Sequence, residues 1–392
     1  MTKSDTSVAQ SDAITAIPRV KWGSLHRDAW KATWSQTNRR AGLLCLPVIA
    51  AAVFFGVISQ QHQGAVLAIA GAVAVGFGAF QELGRRRTRS MLIALTGIVL
   101  ATWVGAAASY VGWPAIVTIG ALCAYGFGAM AMLGFGAWWI GLQWMIALIV
   151  YGGARPATPV DAAFHALWVG AGGLVQLLWI TALLPLTNHW FRRSDKPMID
   201  VKGPRMRALA RNLDPRTGGG GYAIRVAFAV TAAGVLNHFW SLPNGYWAPM
   251  TASILIRPDP HDTFVRALSR VVGTLVGAGL TTLLVAWLKP SRPALGIMLL
   301  VAVWGCFALQ RVNYGVFSVC ITTYVVLLLS AIGLPEPDVA LHRIEATLLG
   351  AALALAVHVS AIRWRRIESE PKEYEDTDED EARAGRPSHE MA

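Results

Sequence analysis

Twelve long runs of apolar residues restrict the folds that this chain can adopt. Each run is close to the length of about 20 residues that an α-helix needs to cross a bilayer. The composition agrees, because only 15% of the residues are charged, against about a quarter in soluble proteins. We therefore predict an all-α, polytopic membrane helix bundle with about 12 transmembrane helices. The runs cover approximately residues 41–59, 64–83, 91–109, 114–133, 137–153, 160–185, 222–241, 242–257, 263–287, 293–310, 314–333 and 338–361.

The chain divides into two similar halves. PATPVDAAFHALWVGAGG in the first half resembles PEPDVALHRIEATLLGAA in the second, and aligned residues such as Gly173 and Gly350 are 177 positions apart. Six spans per half would start both halves on the same side of the membrane, which predicts two parallel six-helix repeats with a site at their interface. The predicted domains are an N-terminal cytoplasmic tail (1–40), a first transmembrane repeat (41–187), a cytoplasmic linker (188–221), a second transmembrane repeat (222–366) and an acidic disordered cytoplasmic tail (367–392).

The basic residues predict the orientation of the chain in the membrane. A net charge of +11 would suggest nucleic acid as the partner of a soluble protein, but here the basic residues lie between apolar spans, so we expect a lipid bilayer and no nucleic acid. Most lie in the tails, the linker and the 81–90 and 257–270 loops, which places both termini in the cytoplasm. In the N-terminal tail, Trp22, Trp30 and Trp34 indicate either an amphipathic helix on the membrane face or an extension of the first span.

The stretch 245–274 combines aromatic residues, hydroxyls, a Pro-Asp-Pro break and spaced arginines in an otherwise apolar chain. If Trp247 marks a membrane interface, Arg257 lies about 15 Å deeper, roughly halfway through a hydrocarbon layer of about 30 Å. Pro258 and Pro260 end the helix there, and free backbone at membrane depth is tolerated only inside protein or beside a wet cavity. A short, proline-interrupted span of this kind predicts a transport site.

Several side chains around this stretch suit an amphipathic organic anion. The guanidinium of Arg257 can hold a carboxylate by two parallel hydrogen bonds while Tyr246 or Tyr314 meets its apolar body. Arg266 and Arg270 share a helix face and can attract such an anion, or they can anchor the topology and bind lipid headgroups. Tyr246 and Trp247 can equally belong to an interfacial aromatic belt. The candidate binding residues are Tyr246, Trp247, Thr251, Arg257, Arg266, Arg270, Tyr314 and Arg343.

Glu345 is an acid well inside an apolar stretch, and His342 lies three residues before it on the same helix face. An acid and a histidine at that depth can carry a proton during transport, so both are candidate coupling residues. The alternative is that Glu345 balances the charge of Arg343 or Arg257.

The chain lacks the motifs of the common enzyme classes and metal sites. It has no GxSxG elbow, phosphate-binding GxxxxGK[ST] loop or HExxH motif. The four cysteines lie in separate apolar runs without metal-ligand spacing. We therefore expect no catalytic activity, no cofactor and no metal.

Three segments resemble the fusaric-acid-resistance-like (FUSC) membrane family, which includes aromatic carboxylic acid exporters, and more distantly the plant aluminium-activated malate channels. They are GYWAPMTASILIRPDPHDTFVRALSRVVGTLVG, RVNYGVFSVCITTYVVLLL and HRIEATLLGAALAL, within residues 222–366. The resemblance implies efflux of aromatic or other hydrophobic carboxylates across the bacterial cytoplasmic (inner) membrane, a homodimer and a membrane-fusion partner. It also makes Arg343 part of the family pattern. The alternatives are a passive anion channel and a non-transporting membrane scaffold.

Overall fold

A computed structural model describes residues 20–59, 61–81, 87–153, 158–191, 205–330 and 333–369. These ranges are helical and contain no strand, which confirms the all-α prediction. Residues 370–392 of the predicted acidic tail lie outside them. The helices before the linker are α1 (Leu25–Trp30), α2 (Arg39–Leu44), α3 (Leu46–Ser59), α4 (His62–Gly78), α5 (Arg87–Val111), α6 (Trp113–Ala131), α7 (Phe135–Gly152) and α8 (Pro159–Thr187). The later helices are α9 (Arg205–Asn212), α10 (Gly218–Trp240), α11 (Trp247–Leu255), α12 (Pro260–Leu288), α13 (Arg292–Leu309), α14 (Tyr314–Ser330) and α15 (Glu336–Ser369).

The predicted count of about twelve spans is not confirmed. Among the described residues, eight helices are long and apolar enough to cross a bilayer, and the bent segment that contains α2 and α3 gives a ninth. Helices α4 and α14 are apolar but have 17 residues each. Helix α11 has 9 residues, about 14 Å at 1.5 Å per residue and half of a bilayer core. It cannot cross alone, because the Pro-Asp-Pro break ends the regular backbone soon after it begins.

The two halves repeat one packing pattern. In the first half α3 packs against α4, α4 against α8, α5 against both α7 and α8, and α6 against α7. In the second half the corresponding contacts join α10 to α11, α11 to α15, α12 to both α14 and α15, and α13 to α14. The halves also meet reciprocally, because α6 packs on α10 while α13 packs on α2 and α3. This repetition is what an internal duplication predicts.

Glycines at matching positions lie at helix contacts in both halves. A Cβ atom added to Gly173 of α8 would lie 3.5 Å from the carbonyl oxygen of Gly71 in α4. In the second half, a Cβ on Gly350 of α15 would collide with the carbonyl of Ala248 in α11. Gly350 and Ala248 lie 177 positions after Gly173 and Gly71, respectively. The aligned glycines therefore make corresponding helix contacts in the two halves. Small residues let these backbones approach closely.

The N-terminal segment lies across the end of the bundle where α12 and α14 begin. It is not one amphipathic helix: α1 has six residues and 3₁₀ turns flank it. Its backbone is instead held by the bundle, since Asn313 Nδ2 donates to the carbonyl of Ala29 (2.9 Å) and Ser269 Oγ donates to the same carbonyl (3.2 Å). Asp28 accepts hydrogen bonds from Ser24 and His261, which together lower the pKa of its carboxyl. We call residues 20–38 the N-terminal strap.

Candidate functional site

Helix α11 carries the candidate site and is enclosed by other helices. All nine of its residues are buried. The backbone beyond it is not helical, and side chains satisfy its polar groups. Tyr222 Oη donates to the carbonyl of Ile256 (3.1 Å), the N–H of Arg257 donates to Thr263 Oγ1 (2.9 Å), and His358 Nε2 donates to the carbonyl of Arg257 (2.8 Å). Ile256 and Arg257 are buried in protein, where irregular backbone is tolerated, whereas Pro258 and Asp259 are exposed.

The side chain of Arg257 lies against an aromatic ring of the other half. Its Cζ atom is 3.3 Å from the ring centroid of Trp138 in α7, and only 7% of the residue is exposed. Arg266 approaches the same ring at 6.0 Å and the ring of Tyr314 at 5.0 Å. The two guanidiniums repel each other across this group. A cation on an aromatic face is stabilised by about 2 kcal/mol when desolvated, which compensates only part of the cost of burial.

A second pair of arginines lies nearby. Arg343 is 1% exposed, and its Cζ atom is 5.0 Å from the ring centroid of Trp247. Arg270 is 2% exposed and close enough to repel it. Tyr314 is within electrostatic range of Arg257, Arg266 and Arg343, and its buried hydroxyl has no hydrogen-bond partner among the described residues. We call Arg257, Arg266, Arg270 and Arg343 the arginine cluster.

The arginine cluster has no carboxylate partner in the part of the chain that the structure describes. The ion pair found there joins Asp28 to His261, and no described acid lies within 4 Å of the four guanidiniums. Nε and Nη2 of Arg257, Nε and Nη1 of Arg343 and Nε of Arg270 are buried without a described hydrogen-bond acceptor. Asp262 lies within electrostatic range of Arg257 and Arg266 but forms no ion pair with them. Buried charges are normally paired, so the cluster is electrostatically incomplete.

The two coupling candidates lie on α15 beside this cluster but do not neutralise it. Glu345 is half-buried, and no described ion pair joins it to Arg257 or Arg343. His342 is also half-buried, and its Nδ1 atom lacks a described partner. The charge-balance alternative for Glu345 therefore has no contact in its favour, and a proton-carrying role remains a prediction.

The other candidates have mixed surroundings. Tyr246 packs edge-on against Trp247 with centroids 5.4 Å apart, and it lines a cavity of about 540 Å³. Thr251 is buried against Gly350, so its contact is one of helix packing. The arginine cluster, by contrast, does not line this cavity.

Some residues of the site could not be identified from the sequence. From the sequence, Trp138 is interpreted as a residue of the interfacial aromatic belt or of helix packing. In the structure its ring lies beneath the guanidinium of Arg257. Thr263 and His358 hold the backbone at Arg257 from two other helices. Thr263 follows the Pro-Asp-Pro stretch by three residues, whereas Trp138 and His358 are far from it in the chain, so only the tertiary packing brings these two residues to it.

Comparison with known proteins addresses the second half. Residues 228–357 match the family described as fusaric acid resistance protein-like. This matched segment, about a third of the chain, is similar to that family. The matched segment contains α11, the arginine cluster and Tyr314, and the match confirms the resemblance seen in the sequence. No solved structure matches the chain.

The curated relatives are membrane proteins or uncharacterised. The chain is 28% identical over 148 residues to the inner membrane protein YccS of Escherichia coli, covering 38% of this chain and 20% of that protein. It is 28% identical over 144 residues to an uncharacterised protein, slr1298, of Synechocystis, covering 36% and 19%. The matched part thus spans about a fifth of these relatives. The similarity to these relatives supports the prediction that this chain is a membrane protein, but it does not identify a substrate.

Proposed function

We propose that this protein is a membrane transporter that exports an aromatic or other amphipathic organic anion, such as a carboxylate, across the bacterial cytoplasmic membrane. The observation that carries the proposal is the arginine cluster, which lies in the segment similar to the FUSC family and forms no ion pair with a described carboxylate, although three of its four arginines are buried and Arg266 is half-buried. Permanent positive charge at membrane depth requires an anion, and intramembrane charges typically mark substrate pathways. A substrate carboxylate supplies the missing charge.

The rings around the cluster suit the apolar body of such a substrate. Trp138, Tyr314 and Trp247 each face a guanidinium. A planar guanidinium binds a carboxylate with two parallel hydrogen bonds, and an aromatic body can then pack on the neighbouring rings. Arg257 would exchange its contact with Trp138 for the carboxylate, so binding is coupled to a local rearrangement.

The enclosure of the cluster favours a transporter over a permanently open pore. The free N–H groups of Arg257 and Arg343 are inaccessible to solvent, so an anion reaches them only after packed helices move. Alternating access between two repeats provides such a movement. Glu345 and His342 are the groups that we propose to couple it to protons.

We further propose that both termini are cytoplasmic, on the positive-inside rule. A reporter enzyme inserted in the 188–221 linker is expected to read cytoplasmic, and one inserted between Ala154 and Thr158 to read external. The opposite pattern would overturn this orientation. A homodimer and a membrane-fusion partner are proposals from the family resemblance alone.

The direct test is accumulation of radiolabelled 1-naphthoate in bacteria with and without the gene, repeated with the proton gradient collapsed. We expect lower accumulation with the gene, and loss of that difference in an Arg257→Gln variant present at equal amounts in the membrane. Equilibration that ignores the gradient would indicate a passive channel. Equal accumulation with and without the gene, across several aromatic carboxylates, would indicate a scaffold.

A further inference from the structure

A cavity that the arginine cluster does not line separates helices of the two halves. It lies between α5, α6 and α7 of the first half and α10 of the second, and the 241–246 loop forms its rim. Its volume of about 540 Å³ falls within the range of about 300–1,000 Å³ that small-molecule sites occupy. The cavity therefore has room for a ligand with two fused rings.

The chemistry of the cavity wall excludes a charged ligand. Among the described residues that line it there is no Asp, Glu, Lys or Arg. An ion inside would lose its hydration without gaining a counter-charge, at a cost of several kcal/mol. The site thus differs in kind from the arginine cluster.

Aromatic and polar groups give the wall some selectivity. Trp113 and His238 stack with centroids 3.9 Å apart and planes 11° apart, which forms a flat aromatic wall, and Tyr246 lines another part. Thr231 and Asn237 provide hydrogen-bonding groups among mainly apolar neighbours. A few polar groups in an apolar pocket fix the orientation of a bound molecule.

Two glycines keep the cavity open. Gly120 of α6 and Gly234 of α10 both line it, and a Cβ atom added to either would have no other atom within 4 Å. Other glycines of the same wall are needed for close packing, since a Cβ on Gly153 would lie 2.8 Å from Tyr246. The space beside Gly120 and Gly234 is therefore spare volume and not a helix contact.

We propose that this cavity binds an uncharged aromatic molecule that carries a hydrogen-bonding group. The ligand enters between the two halves and stacks near Trp113 while its polar group meets Asn237 or Thr231. The proposal does not depend on transport of an anion. It predicts a second binding site whose ligands share ring systems with those of the arginine cluster but not their charge.

The test is equilibrium binding of radiolabelled 1-naphthol to the purified full-length protein in lipid nanodiscs. We expect saturable binding that Gly120→Leu and Gly234→Leu each weaken at least tenfold, because leucine fills the spare volume. Gly126→Leu is the matched control: Gly126 is also in α6, its added Cβ would meet no atom within 4 Å, and it does not line the cavity. This control is expected to bind like the parent protein. Leucine favours a helix over glycine, so all three variants should fold.

Competition experiments define the ligand class. Naphthalene, which lacks the hydroxyl, is expected to compete roughly fivefold more weakly than unlabelled 1-naphthol. At pH 8, 1-naphthoate is expected to compete at least tenfold more weakly, and Arg257→Gln is expected to leave 1-naphthol binding unchanged. Non-saturable binding, equal binding by both leucine variants and the parent, or equal competition by 1-naphthoate would each overturn the proposal. If the parent protein binds 1-naphthol but does not export 1-naphthoate, that result would refute the proposed transport function and leave the cavity proposal intact.

Discussion

Helix pair α4–α8 of the first half and pair α11–α15 of the second pack in the same way but carry different chemistry. The positions 177 residues before Arg257 and Arg343 are Phe80 and Ala166. Phe80 stacks on Phe307 of the second half, with centroids 5.9 Å apart, whereas Arg257 stacks on Trp138 of the first. Each half thus presents one side chain to a ring of the other, and only one of the two side chains is charged. The packing that both halves share has a structural role. Residues with a function in binding are therefore expected where the side chains of the two halves differ.

A buried arginine in the first half shows what a structural role looks like. Arg87 donates from Nη1 to the carbonyl of Ala79 (2.8 Å), from Nη2 to the carbonyl of Phe191 (3.3 Å) and from Nε to Asn188 Oδ1 (3.2 Å). Arg257 is buried to a similar degree, but its Nε and Nη2 have no described acceptor. Burial alone does not separate the two residues; the satisfaction of their donors does.

The largest effect on folding is expected from substitutions at the glycines that occupy matching positions in the two halves. In Gly173→Leu the new side chain collides with the side chains of Leu95 in α5 and Val75 in α4, and in Gly350→Leu it collides with the backbone of α11. Helices cannot separate there without losing their packing, so we expect loss of most monodisperse protein in size-exclusion chromatography. Gly279→Leu is the control, because a Cβ there meets no atom within 4 Å. Normal yield of both disruptive variants would show that the matched glycines are not structural.

The next test compares Arg87→Gln with Arg257→Gln. Arg87→Gln leaves buried carbonyls without donors, at a cost of about 3 kcal/mol, and should clearly lower the thermal unfolding midpoint. Arg257→Gln should change that midpoint little while reducing export roughly 100-fold, the loss of about 3 kcal/mol of charged hydrogen bonding. If both variants destabilise the protein equally, Arg257 is structural. Recovery of stability in a variant that combines Arg257→Ala with Glu345→Ala would then identify Glu345 as its partner.

A smaller effect is expected when the charge is kept and the geometry is changed. Arg257→Lys retains a cation but loses the planar fork, so the apparent affinity for 1-naphthoate should fall about tenfold, or roughly 1.4 kcal/mol. The measurement is the concentration dependence of export at matched membrane levels. An unaltered dependence would remove bidentate binding from the proposal.

The smallest effect is expected at Glu345, the residue that we propose to couple export to protons. Glu345→Gln keeps the size and hydrogen bonding of the side chain but removes its titratable group. We expect export to persist and its dependence on external pH to flatten, while folding is unchanged. A pH profile that matches the parent protein would retire Glu345 as a coupling residue and leave His342 to be tested in the same way.

Local signals in the sequence predicted most of the fold and part of the site. Apolar runs predicted the helices, the two prolines predicted the break before α12, and depth predicted the burial of Arg257. The count of about twelve spans is not confirmed, and for one of them run length alone could not show that α11 ends after 9 residues. Trp138 and His358 were beyond reach, since their roles arise from contacts between distant segments that no local pattern records.

The N-terminal strap has a mechanical consequence for any movement of this bundle. Ala29 accepts hydrogen bonds from Ser269 of α12 and from Asn313, which directly precedes α14. The carbonyl of Ala29 is therefore hydrogen-bonded both to α12, which carries Arg266 and Arg270, and to the residue before α14, which carries Tyr314. Spreading these helices at that end breaks at least one of the two bonds, at about 1 kcal/mol each. The N-terminal strap thereby sets part of the free-energy cost of separating these two helices at that end.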